Sequence, residues 1–200
     1  MIRVAVAEDQ GLVRDALVQL LGREPDFTVV GEAATGKEAI SLSDLLPDIM
    51  LVDVEMPEMD GIQACREIVA RQPTVRVVIL TTFARPGNLR RALAAGACGF
   101  LLKDDPVSVL AEKLRAVIAG ERPVDPALAV SALISGPSPL TSRETEILRA
   151  AADGRPIAEI ARQLFLSEGT VRNYLSVIIQ KLGVENRIQA VHQAEQNGWL

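Results

Sequence analysis

An alternation constrains this chain more than any single motif. Five apolar runs, at residues 2–7, 27–32, 48–53, 75–81 and 98–102, are separated by stretches of helical period at 10–21, 36–45, 60–71, 86–95 and 106–119. Runs of Val, Ile and Leu with few polar interruptions fit strands buried on both faces, and strands that alternate with helices form a parallel sheet covered on both sides. Gly22, Gly96 and Gly120 stand where helices should stop, and Pro106, capped by Asp105, should start the fifth helix. The pattern then changes. Pro123, Pro126, Pro137 and Pro139 bracket a short apolar helical piece, Ala127 to Ile134. From Leu140 only helical periods appear, near 142–152, 156–164, 168–182 and 187–196. Phe165-Leu166-Ser167 joins two of these with helix-turn-helix spacing, Ser167 serving as the cap. The expected organisation is an α/β domain at 1–120, a linker with a short helix at 121–138, and an all-α four-helix domain at 139–200.

Composition narrows the chemistry. An apolar content of 48% can fill two small cores. No apolar run reaches membrane-spanning length and the amino terminus lacks the traits of a secretory signal, so a cytoplasmic location is expected. Cys65 and Cys98 are isolated thiols without metal-ligand spacing, which points to packing roles. The single histidine, His192, has no nucleophile motif with it, which disfavours hydrolase triads and histidine metal sites. Gly31 to Lys37 nearly spells a P-loop, but Glu38 stands where a magnesium-binding Ser or Thr belongs, so the stretch reads as a loop and helix start. Neither domain is basic: residues 1–120 carry a net −4 and residues 121–200 a net −1. Nucleic-acid binding must therefore rest on local arrangement.

Asp53 ends the third apolar run, and Pro57 stops the strand from continuing. In open α/β sheets chemistry gathers at the carboxyl edge of the strands. If the strand order is the flavodoxin-like 2-1-3-4-5, strands one and three are neighbours, and Glu8, Asp9 and Asp53 converge. Carboxylates so close raise one another's pKa unless a cation neutralises them, and an oxygen-only cluster suits Mg²⁺. Thr81 and Lys103 end strands four and five on the same edge, where a hydroxyl and an ammonium can cradle a phosphoryl group on Asp53.

With Met56-Pro57 followed by Asp60-Gly61 and the residues above, positions 1–120 resemble a response-regulator receiver domain. The resemblance implies a parallel (βα)5 fold and Mg²⁺-dependent phosphoryl transfer from a sensor histidine kinase to Asp53. It further implies a metal held by Glu8, Asp9, Asp53 and the backbone carbonyl of Glu55, with Thr81 and Phe100 as switch residues. Glu8 departs from the commoner Asp and lengthens that arm without changing its charge. Glu55 and Phe83, two places beyond Asp53 and Thr81, should restrict attacking water and lengthen the phosphoryl lifetime.

Leu140-Thr141-Ser142-Arg143-Glu144 through Ile147-Leu148, then Glu159-Ile160-Ala161, Ser167 to Tyr174, and Lys181-Leu182 with Asn186-Arg187, resemble the LuxR-type DNA-binding domain. Together the halves resemble regulators of the NarL/FixJ class, and within it Thr81 to Gly87 is similar to DesR-like regulators that act with membrane-sensing kinases. Thr170, Arg172, Asn173, Ser176 and Lys181 are the candidate DNA contacts: Arg can pair with guanine, Asn with adenine, and Lys or Ser with phosphate. Pro156 and Ala158 stand where a capping and a basic residue are usual, and residues 138–200 sum to zero charge, so a monomer should grip DNA weakly. Dimerisation on phosphorylation, with binding to a two-half-site operator, is the expected remedy. The candidate dimer face on the first and fifth helices comprises Leu12, Val13, Ala16, Val109, Leu110, Lys113 and Leu114. Two competitors are a phosphoaspartyl phosphatase, since Asp53-Val54-Glu55 approximates its paired acids, and a receiver acting through protein contacts with a vestigial DNA domain. The phosphatase would need a substrate-capping insertion that this compact chain lacks.

Overall fold

The computed structural model describes residues 1–82, 85–104, 106–134, 136 and 138–200. Phe83, Ala84, Asp105 and Pro137, on which expectations were placed, lie outside the described residues. Chain contacts define two compact units, the first of Met1–Ala84 and Asn88–Val130 and the second of Arg85–Gly87 and Ser131–Leu200.

In the first unit β1 (Ile2–Ala7), β2 (Phe27–Ala33), β3 (Ile49–Asp53), β4 (Arg76–Thr81) and β5 (Gly99–Leu102) form one parallel sheet in the order β2-β1-β3-β4-β5. They alternate with α1 (Gly11–Leu21), α2 (Gly36–Leu42), α3 (Gly61–Arg71), α4 (Pro86–Ala94) and α5 (Val107–Ile118). All five residues of β3 are buried, which explains its unbroken apolar pattern. Val4, Val6, Leu51, Val78 and Leu101 on the sheet pack with Leu17 and Leu21 of α1 and Leu110 and Leu114 of α5. Burial of an aliphatic side chain contributes about 1.5–3 kcal/mol, so this shared core is a large favourable term in holding α1 and α5 against the sheet.

Helix ends differ from the simple reading in three places. Gly96 and Gly120 are left-handed, with φ of +97° and +94°, but Gly22 closes α1 in the right-handed region and uses no glycine-only conformation. The second helix ends at Leu42 and tightens into a 3₁₀ turn, Ser43–Leu45, before a left-handed Leu46. Pro106 is the residue before α5, and its extended ψ of 146° keeps it outside the helix. The near-P-loop is a helix start: Thr35 caps α2, and the Glu38 carboxylate accepts the Ala34 N–H at 2.8 Å.

Residues 123–124 run along the outer edge of β5. The Phe100 N–H donates to the Pro123 carbonyl at 3.0 Å, and Val124 bridges Phe100 in parallel. An edge strand left bare invites association, and this short segment covers it. α6 (Pro126–Ile134) follows.

The second unit contains α7 (Ser142–Ala152), α8 (Ile157–Gln163), α9 (Glu168–Leu182) and α10 (Arg187–Gln196) around a core that includes Ile147, Ile160, Val171, Leu175, Ile178 and Ala190. Thr141 and Glu144 form a reciprocal capping box on α7, Ser167 caps α9, and Asn186 caps α10. α8 begins after Pro156 with no side-chain cap. No helix among the described residues is long and apolar enough to cross a membrane.

Candidate functional site

The register of the sheet assembles the first site. Ala7 lies opposite Val52, so the next residues, Glu8 and Asp53, leave β1 and β3 side by side. Thr81 pairs with Leu102, and the Lys103 N–H donates to the Thr81 carbonyl at 2.9 Å, which brings Lys103 to the same edge. Carboxylate oxygens of Glu8, Asp9 and Asp53 lie within 4.8 Å of one another, Glu8 and Asp53 buried and Asp9 exposed. The Lys103 ammonium stands 2.6 Å from Glu8 and 3.2 Å from Asp53. Thr81 is buried at the end of β4, and Phe100 is fully buried on β5. Glu55 lies exposed in the bend after β3.

Burial pushes the Asp53 carboxyl up to about 6, with the adjacent Glu8 adding to the rise, against the opposing pull of Lys103 and the Val54 N–H. One ammonium between two buried carboxylates leaves a net negative pocket, and three carboxylates form an all-oxygen donor set suited to a hard divalent cation.

Two positioning residues escaped the sequence reading. Arg14 of α1 donates to the Glu8 main-chain carbonyl at 2.6 Å and lies 3.6 Å from Glu32, which holds the acidic pair in place. Its signal was faint, one cation six residues beyond Glu8. A Cβ on Gly61 would lie 1.8 Å from the Asp53 carbonyl oxygen, so only glycine lets α3 start this close to the acceptor. The glycine was visible in Asp60-Gly61, but its reason was not.

The candidate dimer face divides. Leu12 is 85% exposed, Ala16 is exposed, and Val13, Val109 and Lys113 are half-buried. Leu110 and Leu114 must be removed from it: both are buried in the core against α1 and the sheet. Helical spacing alone cannot separate two apolar stripes on one helix when one faces the core. Beside Leu12 an open cavity of about 340 Å³ runs between α1, the ends of β4 and β5, and Lys103.

In the second unit Val171, Leu175, Ile178 and Leu182 of α9 are buried, which leaves Arg172, Asn173 and Ser176 exposed on the opposite side. Arg172 pairs with Glu168 at 2.7 Å, and the hydroxyl of half-buried Thr170 lies 2.8 Å from that of Ser167. Lys181 is placed differently. Its ammonium meets both oxygens of Glu144, at 2.7 and 2.8 Å, and Glu144 is 5% exposed. Burial pushes the Glu144 carboxyl up, but Lys181 and the N–H and hydroxyl of Thr141 outweigh it and hold the group below the usual glutamate value. Lys181 thus ties the carboxyl end of α9 to the amino end of α7. His192 is exposed and its ring lies 2.8 Å from the Gln196 side-chain amide. Cys65 is buried, which pushes its thiol up to about 12 and fits a packing role.

Comparison with known proteins adds a second line of observation. Residues 4–115 match the response regulator receiver domain, and residues 138–194 match the bacterial regulatory proteins of the luxR family. The chain is 44% identical to the transcriptional regulatory protein DesR of Bacillus subtilis (strain 168), over the whole of both chains. It is similar to the crystal structure of the response regulator ChrA of a heme-sensing two-component system, with 37% identity, coverage of 100% of this chain and 98% of that one, and a TM-score of 0.59. It also resembles the RcsB–DNA complex, with 27% identity, coverage of 98% of each chain and a TM-score of 0.67.

Proposed function

Because this chain belongs to the response regulators of the NarL/FixJ class, a receiver followed by a LuxR-type DNA-binding domain, we propose that Asp53 is its phosphoacceptor and that phosphorylation by a sensor histidine kinase drives dimerisation on DNA. The protein regulates transcription and is not a catalytic enzyme. The observation that carries the proposal is the cluster of Glu8, Asp9 and Asp53 at one sheet edge with Lys103 inside it. The proposed division is a receiver at 1–120, a linker at 121–138 and a DNA-binding domain at 139–200, and the matches at 4–115 and 138–194 support it. DNA as the target supports action in the cytoplasm.

In this reading Glu8, Asp9 and Asp53, with the Glu55 carbonyl, would hold Mg²⁺, which when bound would supply positive charge to offset the carboxylates and the incoming phosphoryl oxygens. An Asp53 oxygen bonds to phosphorus as the bond to the donor breaks. Lys103 then shifts its ammonium toward the phosphoryl oxygens, Thr81 turns its hydroxyl inward, and Phe100 fills the space that Thr81 leaves. Phe100 also donates its N–H to the Pro123 carbonyl, so a change at the switch reaches the segment that leads out of the receiver. Phosphorylation must favour the active state by a few kcal/mol to shift the population decisively. The face around Leu12, Val13, Ala16, Val109 and Lys113 then pairs two copies. Arg172, Asn173, Ser176 and Thr170 of each α9 meet the major groove, and the exposed Lys181 meets phosphate while its ammonium also pairs with Glu144.

Two measurements test this reading. Acetyl phosphate with Mg²⁺ is expected to phosphorylate the protein and to raise its affinity for a two-half-site operator about a hundredfold in a gel-shift titration; equal affinity of both forms overturns it. Mg²⁺ at ten to a hundred times its Kd is expected to stabilise the receiver by about 1–3 kcal/mol, with the gain removed by EDTA and reduced in Glu8→Gln. A melting curve indifferent to Mg²⁺ rejects the metal site.

A further inference from the structure

The turn between α8 and α9 breaks a local rule. Leu164 ends α8, Phe165 takes a φ of +55°, the Leu166 N–H donates to the Ala161 carbonyl at 2.8 Å, and the Phe165 N–H lies 3.4 Å from the Arg162 carbonyl. This hydrogen-bond pattern closes a helix with a left-handed residue, and glycine is the residue for it because a Cβ is crowded there. Here the position holds phenylalanine, and its ring gains nothing from the core: Phe165 is 96% exposed, more than any other large apolar side chain among the described residues. Strain and exposure at one position both oppose folding. Such a conflict points to a role outside the fold.

The surroundings identify what the ring meets. Phe165 stands two residues before Ser167, the cap of α9, and the amino-terminal end of the second helix of a helix-turn-helix is the part that reaches base edges. Arg162 and Arg172 are exposed on either side in sequence, and a guanidinium nitrogen of Arg143 lies 3.3 Å from the Leu164 carbonyl. Duplex DNA offers phosphates to such guanidiniums and thymine methyl groups to an apolar ring. A protein partner fits less well, because a docking surface needs a contiguous apolar patch, and Gln163, Ser167 and Glu168 beside the ring are exposed and polar.

We propose that Phe165 is a DNA-contacting residue whose ring packs on a thymine methyl group at the rim of the major groove, beside the amino end of α9. The proposal rests on α9 being the helix that enters the groove. Its role is to add base discrimination to a domain whose charge sums to zero.

The test uses the full-length phosphorylated protein and a duplex selected with it from a random-sequence pool. Phe165→Gly and Phe165→Asn both suit the left-handed position and lack the ring. Both are expected to melt no lower than the native protein, to bind the selected duplex about tenfold more weakly, and to ignore replacement of its thymines by deoxyuridine, a change that weakens the native protein. Lower melting temperatures in both variants assign Phe165 to the fold and overturn the proposal, as does a native protein indifferent to loss of the methyl groups. Asn173→Ala separates the two readings. Weak binding by Asn173→Ala beside native binding by the Phe165 variants overturns the contact alone, whereas native binding by all three overturns the placement of α9. Native DNA affinity with lost transcriptional activation in the Phe165 variants overturns the proposal in favour of a protein contact.

Discussion

Asp53→Asn is expected to take up no phosphoryl group from acetyl phosphate and to lose the whole phosphorylation-dependent gain in operator affinity, about a hundredfold or near 2.8 kcal/mol. Substitution by a neighbour should not rescue it. Glu8 is 1% exposed and bound to Lys103, and Asp9 lies at the exposed margin of the site. The variant should nevertheless fold well, because it replaces a buried, incompletely neutralised carboxylate with an isosteric amide. Intact-mass measurement, gel-shift titration and thermal melting check the three parts together. Phosphoryl uptake by Asp53→Asn equal to that of the native protein would reject Asp53 as acceptor.

Lys181→Met is expected to destabilise the DNA-binding domain by roughly 1–3 kcal/mol, the cost of leaving a buried charged group without its partner. For a domain of this size each kcal/mol lowers the melting temperature by about 4–8 °C. The pH dependence distinguishes this from simple loss of side-chain packing. Glu144 has a depressed pKa in the native fold, so its contribution is present above the unfolded value, about 4.3, and is lost as pH falls through the lower folded value. Without Lys181 two of the interactions that depress the Glu144 pKa are gone while burial still raises it, so the folded value moves up toward the unfolded one and less stability is lost on acidification. The variant should then gain stability relative to the native protein as pH drops toward 4. Equal losses at pH 7 and pH 4 in denaturant titrations would show that Glu144 and Lys181 are not coupled; the double variant Glu144→Gln with Lys181→Met should recover part of the loss.

Much of this protein was legible in the linear pattern because its physics is local. Periodicity separated five strand–helix pairs from a helical tail, and buried runs ending in Asp53, Thr81 and Leu102 located the chemical edge before any contact was known. Capping was legible at Ser167 for the same reason, since a cap acts within three residues of sequence. The misreadings share one cause, a side chain whose role depends on a distant partner. The pairing of Lys181 with Glu144, 37 residues earlier, has no local signal in the sequence. Leu110, Leu114 and Leu12 are all apolar positions on helices, yet only packing against α1 and the sheet sorts the first two into the core and the last to the surface. Gly22 obeyed the composition rule for helix ends without using its conformational freedom, while Phe165 took the left-handed turn that glycine would fill.

The sequence by itself determined that Asp53 ends a buried strand, that acidic residues end its neighbour, and that a helix-turn-helix follows, because periodicity, turn residues and charge are properties of short segments. Only the tertiary structure decided that the Lys103 ammonium stands between Glu8 and Asp53, that Arg14 and Gly61 hold the acceptor's surroundings, and that residues 123–124 are bonded to the edge strand at Phe100. Those facts come from sheet register and close packing. Register and packing join residues across elements, from six positions apart for Arg14 and Glu8 to fifty for Lys103 and Asp53, and no periodic pattern within one segment encodes such a contact.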